Sequence, residues 1–131
     1  MTSYPAAPFL AADIAATAAE RHAHAINAYM RAAYAAKWIL EPNAGPFAQG
    51  AAGVIAANAP TAGHPYSDTR PDWRAAHDMA LSNADNEPDP LKRAIYQLIR
   101  ACCAQRIDPA QWAPVIDAKR AAMAAEAQRP Q

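Results

Sequence analysis

Glycine is scarce in this chain, with 4 among 131 residues, and cysteine and phenylalanine are scarcer, with 2 each. Several absences narrow what the protein can be. Alternating apolar and polar residues and β-branched runs are both missing, so no β-strand is expected. The two cysteines, Cys102 and Cys103, are adjacent, and neighbouring cysteines rarely bridge each other because the linkage strains the peptide between them. No disulfide framework follows, and the pair reads as buried free thiols in a reducing compartment. Lysine plus arginine and aspartate plus glutamate both number 12, for a formal net charge of zero. That removes the basic excess by which a sequence-independent nucleic-acid binder displaces counterions, and an acidic DNA mimic is equally unsupported. No run of about 18 uncharged apolar residues exists to cross a membrane. The N-terminal stretch lacks a basic region before its short apolar run and soon meets Asp13, so no signal peptide is read and the expected compartment is the cytoplasm.

What is abundant is alanine, at 38 positions. Alanine has the highest intrinsic helix propensity because it loses no side-chain entropy on helix formation. The expected fold is therefore all-α, a single domain over residues 1–131 made of about five helices that approach one another closely. Large apolar side chains are few, and Trp38, Trp73 and Trp112 would provide the largest buried areas. Charge is uneven along the chain. Residues 1–66 hold three basic side chains (Arg21, Arg31, Lys37) and three acidic ones (Asp13, Glu20, Glu41), and the remaining nine of each sign lie beyond. The first half thus reads as the buried or partner-covered part.

Residues 1–8, with Pro5 and Pro8, read as an extended lead-in. No proline or glycine then interrupts Phe9 to Leu40, and positions 11, 15, 18, 22, 25, 29, 33, 36 and 40 form an apolar stripe at helical spacing that includes His22. A long helix over 9–40 is expected, with the others packed against it. Residues 47–59 read as a short helix drawn tight by Gly50 and Gly53, with an irregular apolar loop as the alternative, since each interior glycine costs about 1 kcal/mol. Residues 60–68 read as a linker. Thr69 would open the next helix with Asp72 three residues on, placing Trp73, Ala76, His77, Ala80 and Ala84 on one face. An acidic turn is expected from Asn83 to Pro88. Asp89-Pro90 is a cap followed by a first-turn proline. Behind it Leu91, Ile95, Leu98, Ile99 and Cys102 form the clearest amphipathic face, opposite Lys92, Arg93, Gln97 and Arg100. Asp108-Pro109 repeats the start signal, and Pro114 either kinks that helix or separates a turn from a final helix of about 115–128. Residues 129–131 read as a tail.

Chemically capable side chains do not assemble a recognisable motif. His22 and His24 are two apart and point roughly opposite ways on a helix, and the paired Glu-x-x-His helices of a di-iron bundle are absent. Neither a metal nor a cofactor is expected. Gly50 and Gly53 lack the lysine of a phosphate loop, and no nucleophile-elbow glycines flank Ser67. Cys103, on the border of its helix face and close to Arg100 and Arg106, has an environment that would lower a thiol pKa. The densest polar run is 64–78, where His64, Asp68 and His77 could line a ligand cleft and Arg70, Arg74 and His77 could grip an anion near the start of a helix. Its plain reading is a capped helix start with surface ion pairs worth about 0–1 kcal/mol each.

Tyrosine, tryptophan and arginine dominate interface energetics. Tyr34, Trp38, Arg70, Trp73 and Arg74 are accordingly the expected contacts with another protein. In size and in alanine and arginine usage the chain resembles, in a general way, the small helical accessory proteins that bacteria and their phages encode. The leading expectation is a non-catalytic interaction module: an adaptor, an inhibitor or a small assembly subunit. A homodimer through the long helix is a further expected partnership. The alternative is a small helical enzyme or ligand-binding protein with a polar cleft around 64–78. Nucleic-acid contact through Lys92, Arg93, Arg100 and Arg106 ranks below both.

Overall fold

A computed structural model of the chain describes residues 7–42, 44–58 and 71–129, with side chains from residue 18 onward. Among these residues there are five helices and no strand, an all-α bundle: α1 (Ala7–Leu40), α2 (Pro46–Ala57), α3 (Trp73–Asn86), α4 (Pro90–Ile107) and α5 (Ala113–Ala127). The linker expected over 60–68 falls outside the described residues.

Local chemistry explains most boundaries. α1 runs for 34 residues, about 51 Å at 1.5 Å per residue. It starts at Ala7, two residues before the expected Phe9, because a proline in the first turn (Pro8) gives up an N–H that has no helical acceptor anyway. It ends where Pro42 would remove an interior hydrogen bond, with Lys37 complementing the dipole in its last turn. α2 is a helix, not a loop. Pro46 occupies its first turn, and Gln49 Nε2 donates to the Glu41 carbonyl, tying α2 to the end of α1. α3 begins later than Thr69 would have it. Asp72 is the cap, its Oδ1 accepting from Ala75 N at 3.0 Å, and its own N–H donates to the His24 carbonyl of α1 at 3.1 Å. That long-range bond fixes the entry of the chain into α3. The helix then continues through Asn86, so the expected turn at 83–88 shrinks to Glu87–Asp89. Asp89 caps α4 as expected, accepting from Leu91 N at 3.2 Å. Asp108, by contrast, starts no helix. Its carboxylate accepts from Ala110 N at 3.2 Å and from Gln111 Nε2 at 3.1 Å, closing a turn. α5 follows with Pro114 in its first turn, where proline is tolerated.

The core is one contiguous cluster with residues from all five helices. Fourteen of the 25 buried hydrophobic residues among those described are alanine, so much of the interior is lined by methyl groups. The large buried side chains concentrate on α4: Leu91, Ile95, Leu98, Ile99 and Cys103 are each no more than 1% exposed. α4 packs against each of the other four helices. This corrects the expectation that everything packs on the first helix. α4 is the hub because it alone carries enough bulky apolar surface to cover neighbours on several sides. The α1 stripe is buried at Ala25, Tyr29, Ala33, Ala36 and Leu40, but Ala18 and His22 at its start are exposed.

Three further expectations are corrected. Gly50 and Gly53 do not draw α2 against the bundle, since a Cβ at either would meet nothing within 4 Å. The helix is held by Ala48, Ala52, Ile55 and Ala56 on its opposite face. Two of the tryptophans are not core anchors, since Trp38 is 69% exposed and Trp112 52% exposed, whereas Trp73 is half-buried and packs against the core. The chain after α5 is not loose at Arg129, whose Nη1 donates to both oxygens of Asp89 at 3.0 and 3.1 Å. The Arg129 guanidinium carbon also lies 5.3 Å from the Phe47 ring centroid, a cation–π contact. One arginine thus links the end of α5 to the starts of α4 and α2.

Candidate functional site

On α1, Asn27, Met30, Arg31, Tyr34 and Trp38 recur at three- and four-residue spacing. They form a second stripe on the side of the helix turned away from the buried one. Trp73 at the first position of α3 and Arg106 in the last turn of α4 meet this stripe, and Ala35 completes the lining of an open groove of about 540 Å³. The Arg106 guanidinium carbon stands 5.6 Å from the Trp73 ring centroid. Arg106 holds no ion pair among the described residues, and neither does Arg31. Tyr34 is 46% exposed, an unusual placement for a large ring in a chain with so few of them. Exposed apolar patches of this kind mark contact surfaces more often than they mark accidents of folding.

Of the expected contact residues, the fold brings Tyr34, Trp38 and Trp73 into this one groove. Arg74 does not join them. It points to a separate cavity of about 350 Å³, with His77, Asp78, Ala104, Ile107, Asp108 and Gln111. Arg70, His64 and Asp68 lie outside the described residues. His77 Nδ1 is 3.2 Å from Asp78 Oδ1, and Asp78 is largely in water, so this pair is an ordinary exposed contact. Asp108 and Gln111 are committed to the turn before α5. Sequence reasoning missed Asn27, Arg31 and Arg106 as groove residues. The first two were legible as members of the outer α1 stripe. Arg106 was not, because nothing local places the end of α4 beside the middle of α1.

The remaining reactive groups are locked away. Cys103 is fully buried, not at the border of its face. Burial pushes its thiol up to about 12, the neighbouring Cys102 adds to this, and the Arg106 charge only partly offsets it. Burial likewise pushes Cys102 up to about 11. Both thiols are free and protonated at neutral pH, so neither has the thiolate character that nucleophilic attack requires. The Tyr29 phenol is pushed up to about 12, mainly by burial, and its oxygen accepts from Asn83 Nδ2 at 3.0 Å, bridging α1 and α3. No group of three or more His, Cys, Asp or Glu among the described residues is arranged to hold a metal ion. No described helix is long and apolar enough to cross a membrane.

No protein-family model, curated protein or solved structure matches the chain.

Proposed function

We propose that this protein is a non-catalytic interaction module that contacts another protein through the α1–α3–α4 groove, as an adaptor, inhibitor or small assembly subunit would. The observation that supports this reading is the collection of Tyr34, Trp38 and Trp73 from two helices into one open groove. Tyr34 and Trp38 are not part of the core, and Trp73 reaches the groove from the edge of the core against which it packs. Aromatic and arginine side chains at the centre of a contact carry most of its energy. The buried, protonated cysteines add weight by taking the strongest nucleophiles of the chain out of play. A photo-crosslinking amino acid placed at Trp38, in the protein expressed in its own host, should give a discrete adduct with one partner. The same group at Arg120, exposed on α5, should not. Identical adducts from both positions, or none from Trp38, would remove the groove from consideration.

The cavity beside Arg74 and His77 favours a second reading, a small polar ligand held between α3 and the turn before α5. Titration with inorganic phosphate, followed by the His77 ring resonances, separates the two readings. Saturable shifts that disappear in Arg74→Gln would favour the ligand site. Shifts absent in the unaltered chain would dismiss it.

A further inference from the structure

We infer, on the premise that this groove is the contact surface, that its partner is a peptide segment carrying apolar side chains beside carboxylates. Among the described residues, the charged ones lining the groove are Arg31 and Arg106, and none is a carboxylate. The whole chain is neutral, so this single-signed lining is local. Neither guanidinium is neutralised within the described fold. Arg106 is instead held over Trp73, and a guanidinium stacked on a ring keeps the planar fork that pairs bidentately with a carboxylate. The same lining holds the Tyr34, Trp38 and Trp73 rings and the Met30 side chain. These are surfaces that hold apolar side chains with little loss of their own freedom, Met30 adapting to irregular shapes. A segment with leucine or aromatic residues on one side and aspartate or glutamate at its margin satisfies both features. Single-stranded nucleic acid also uses aromatic stacking beside arginine, but it requires a track of cations along many phosphates. Two guanidiniums on a neutral protein are too few for that.

The test is selection from a phage-displayed library of random linear peptides on the whole chain, with the Trp38→Ala chain as counter-selection. Helicity by circular dichroism shows that the variant is folded, and Tyr34→Ala serves as a second variant. Peptides retained by the unaltered chain and lost on Trp38→Ala should combine net negative charge with leucine, methionine or aromatic residues. They should bind the double variant Arg31→Gln/Arg106→Gln about fivefold or more weakly at low salt. That difference should close near 1 M salt, where the screening length falls to about 3 Å. Selected peptides that are neutral or basic, or that bind the double variant equally well at low salt, would overturn the acidic partner and leave the groove as a contact surface. If no peptide responds to Trp38→Ala or Tyr34→Ala, the groove reading itself fails and the acidic partner with it. A labelled oligothymidylate, or a second copy of the chain, that binds more tightly than the selected peptides and is lost on Trp38→Ala would replace the acidic segment as occupant.

Discussion

Three glycines near one short helix should respond to alanine with opposite signs. Gly50 and Gly53 lie inside α2, and a Cβ at either meets open space. Alanine there adds no clash and narrows the unfolded ensemble, and the helix-propensity difference is about 1 kcal/mol at each site. The Gly50→Ala/Gly53→Ala chain should therefore gain about 1.5–2 kcal/mol. Unfolding entropy is about 2.1 cal/mol/K per residue, so the 131 residues give about 275 cal/mol/K and a Tm rise of about 5–7 °C. Gly45 differs. It is the N-cap of α2 with φ −71° and ψ 170°, and a Cβ there would run into the Glu126 carboxylate. Glu126 sits at the end of α2 where the helix dipole favours negative charge, and alanine is a poorer cap than glycine. Gly45→Ala should lower Tm by about 2–4 °C, the equivalent of about 0.5–1 kcal/mol. Calorimetry gives the shifts, and urea titration with an unchanged m-value shows that the denatured state is not responsible. A double variant that melts at or below the unaltered chain would refute the reasoning. Something in the folded protein would then require bare backbone at those two positions.

The remaining predictions concern titration, one surface link and the core. Tyr29, Cys102 and Cys103 have folded pKa values raised to about 12, 11 and 12. The unfolded chain therefore releases their protons first as pH rises. Their contribution is complete below about pH 9 and declines from there to about pH 12, so Tm should fall across that window and fall less steeply in Cys102→Ala/Cys103→Ala. Desolvation alone would raise the Asp89 carboxyl. The hydrogen bonds from Arg129 and Leu91, with the charges of Arg129 and Lys92, outweigh it and hold the group below its usual range. Stability from this link is present above pH 4 and is lost as acid protonates Asp89. Asp89→Ala should cost about 1 kcal/mol through the lost cap, and Arg129→Ala less, as for a partly exposed pair; both are read by urea denaturation. Ile95 and Ala80 are fully buried: Ile95→Ala should cost about 2–5 kcal/mol through the cavity it leaves. Ala80→Leu should cost about 1–3 kcal/mol by overpacking a methyl-sized space. Trp38→Ala, by contrast, should leave Tm within about 2 °C, since surface changes fall within about 0.5 kcal/mol. A large drop there would place Trp38 in the core.

The helices themselves were legible in the residues. Alanine runs, the Asp89-Pro90 cap and the bulky stripe at Leu91, Ile95, Leu98 and Ile99 act within a turn or two of where they stand, so their effect can be read without knowing the neighbours. The start of α3 was not legible. Thr69 and Asp72 both offer cap chemistry, and the bond from Asp72 N to the His24 carbonyl belongs to the packing of α3 on α1. Cys103 looked like a border residue because a single amphipathic face was assumed, whereas α4 is covered on several sides. The groove was half legible. Tyr34 and Trp38 stand one turn apart on one helix, but their meeting with Trp73 and Arg106 depends on where three helices cross.

What the sequence determined by itself was helix, through alanine's low entropic cost, the Asp89 cap and the prolines that start α2, α4 and α5. Only the tertiary structure decided which helix lies at the centre and which aromatic rings stay in water. The physical reason is that alanine is nearly indifferent to burial. Polarity contrast marks a buried side on α3 and α4, but only on α4 is that side made of bulky residues. The other helices learn theirs from what packs against them.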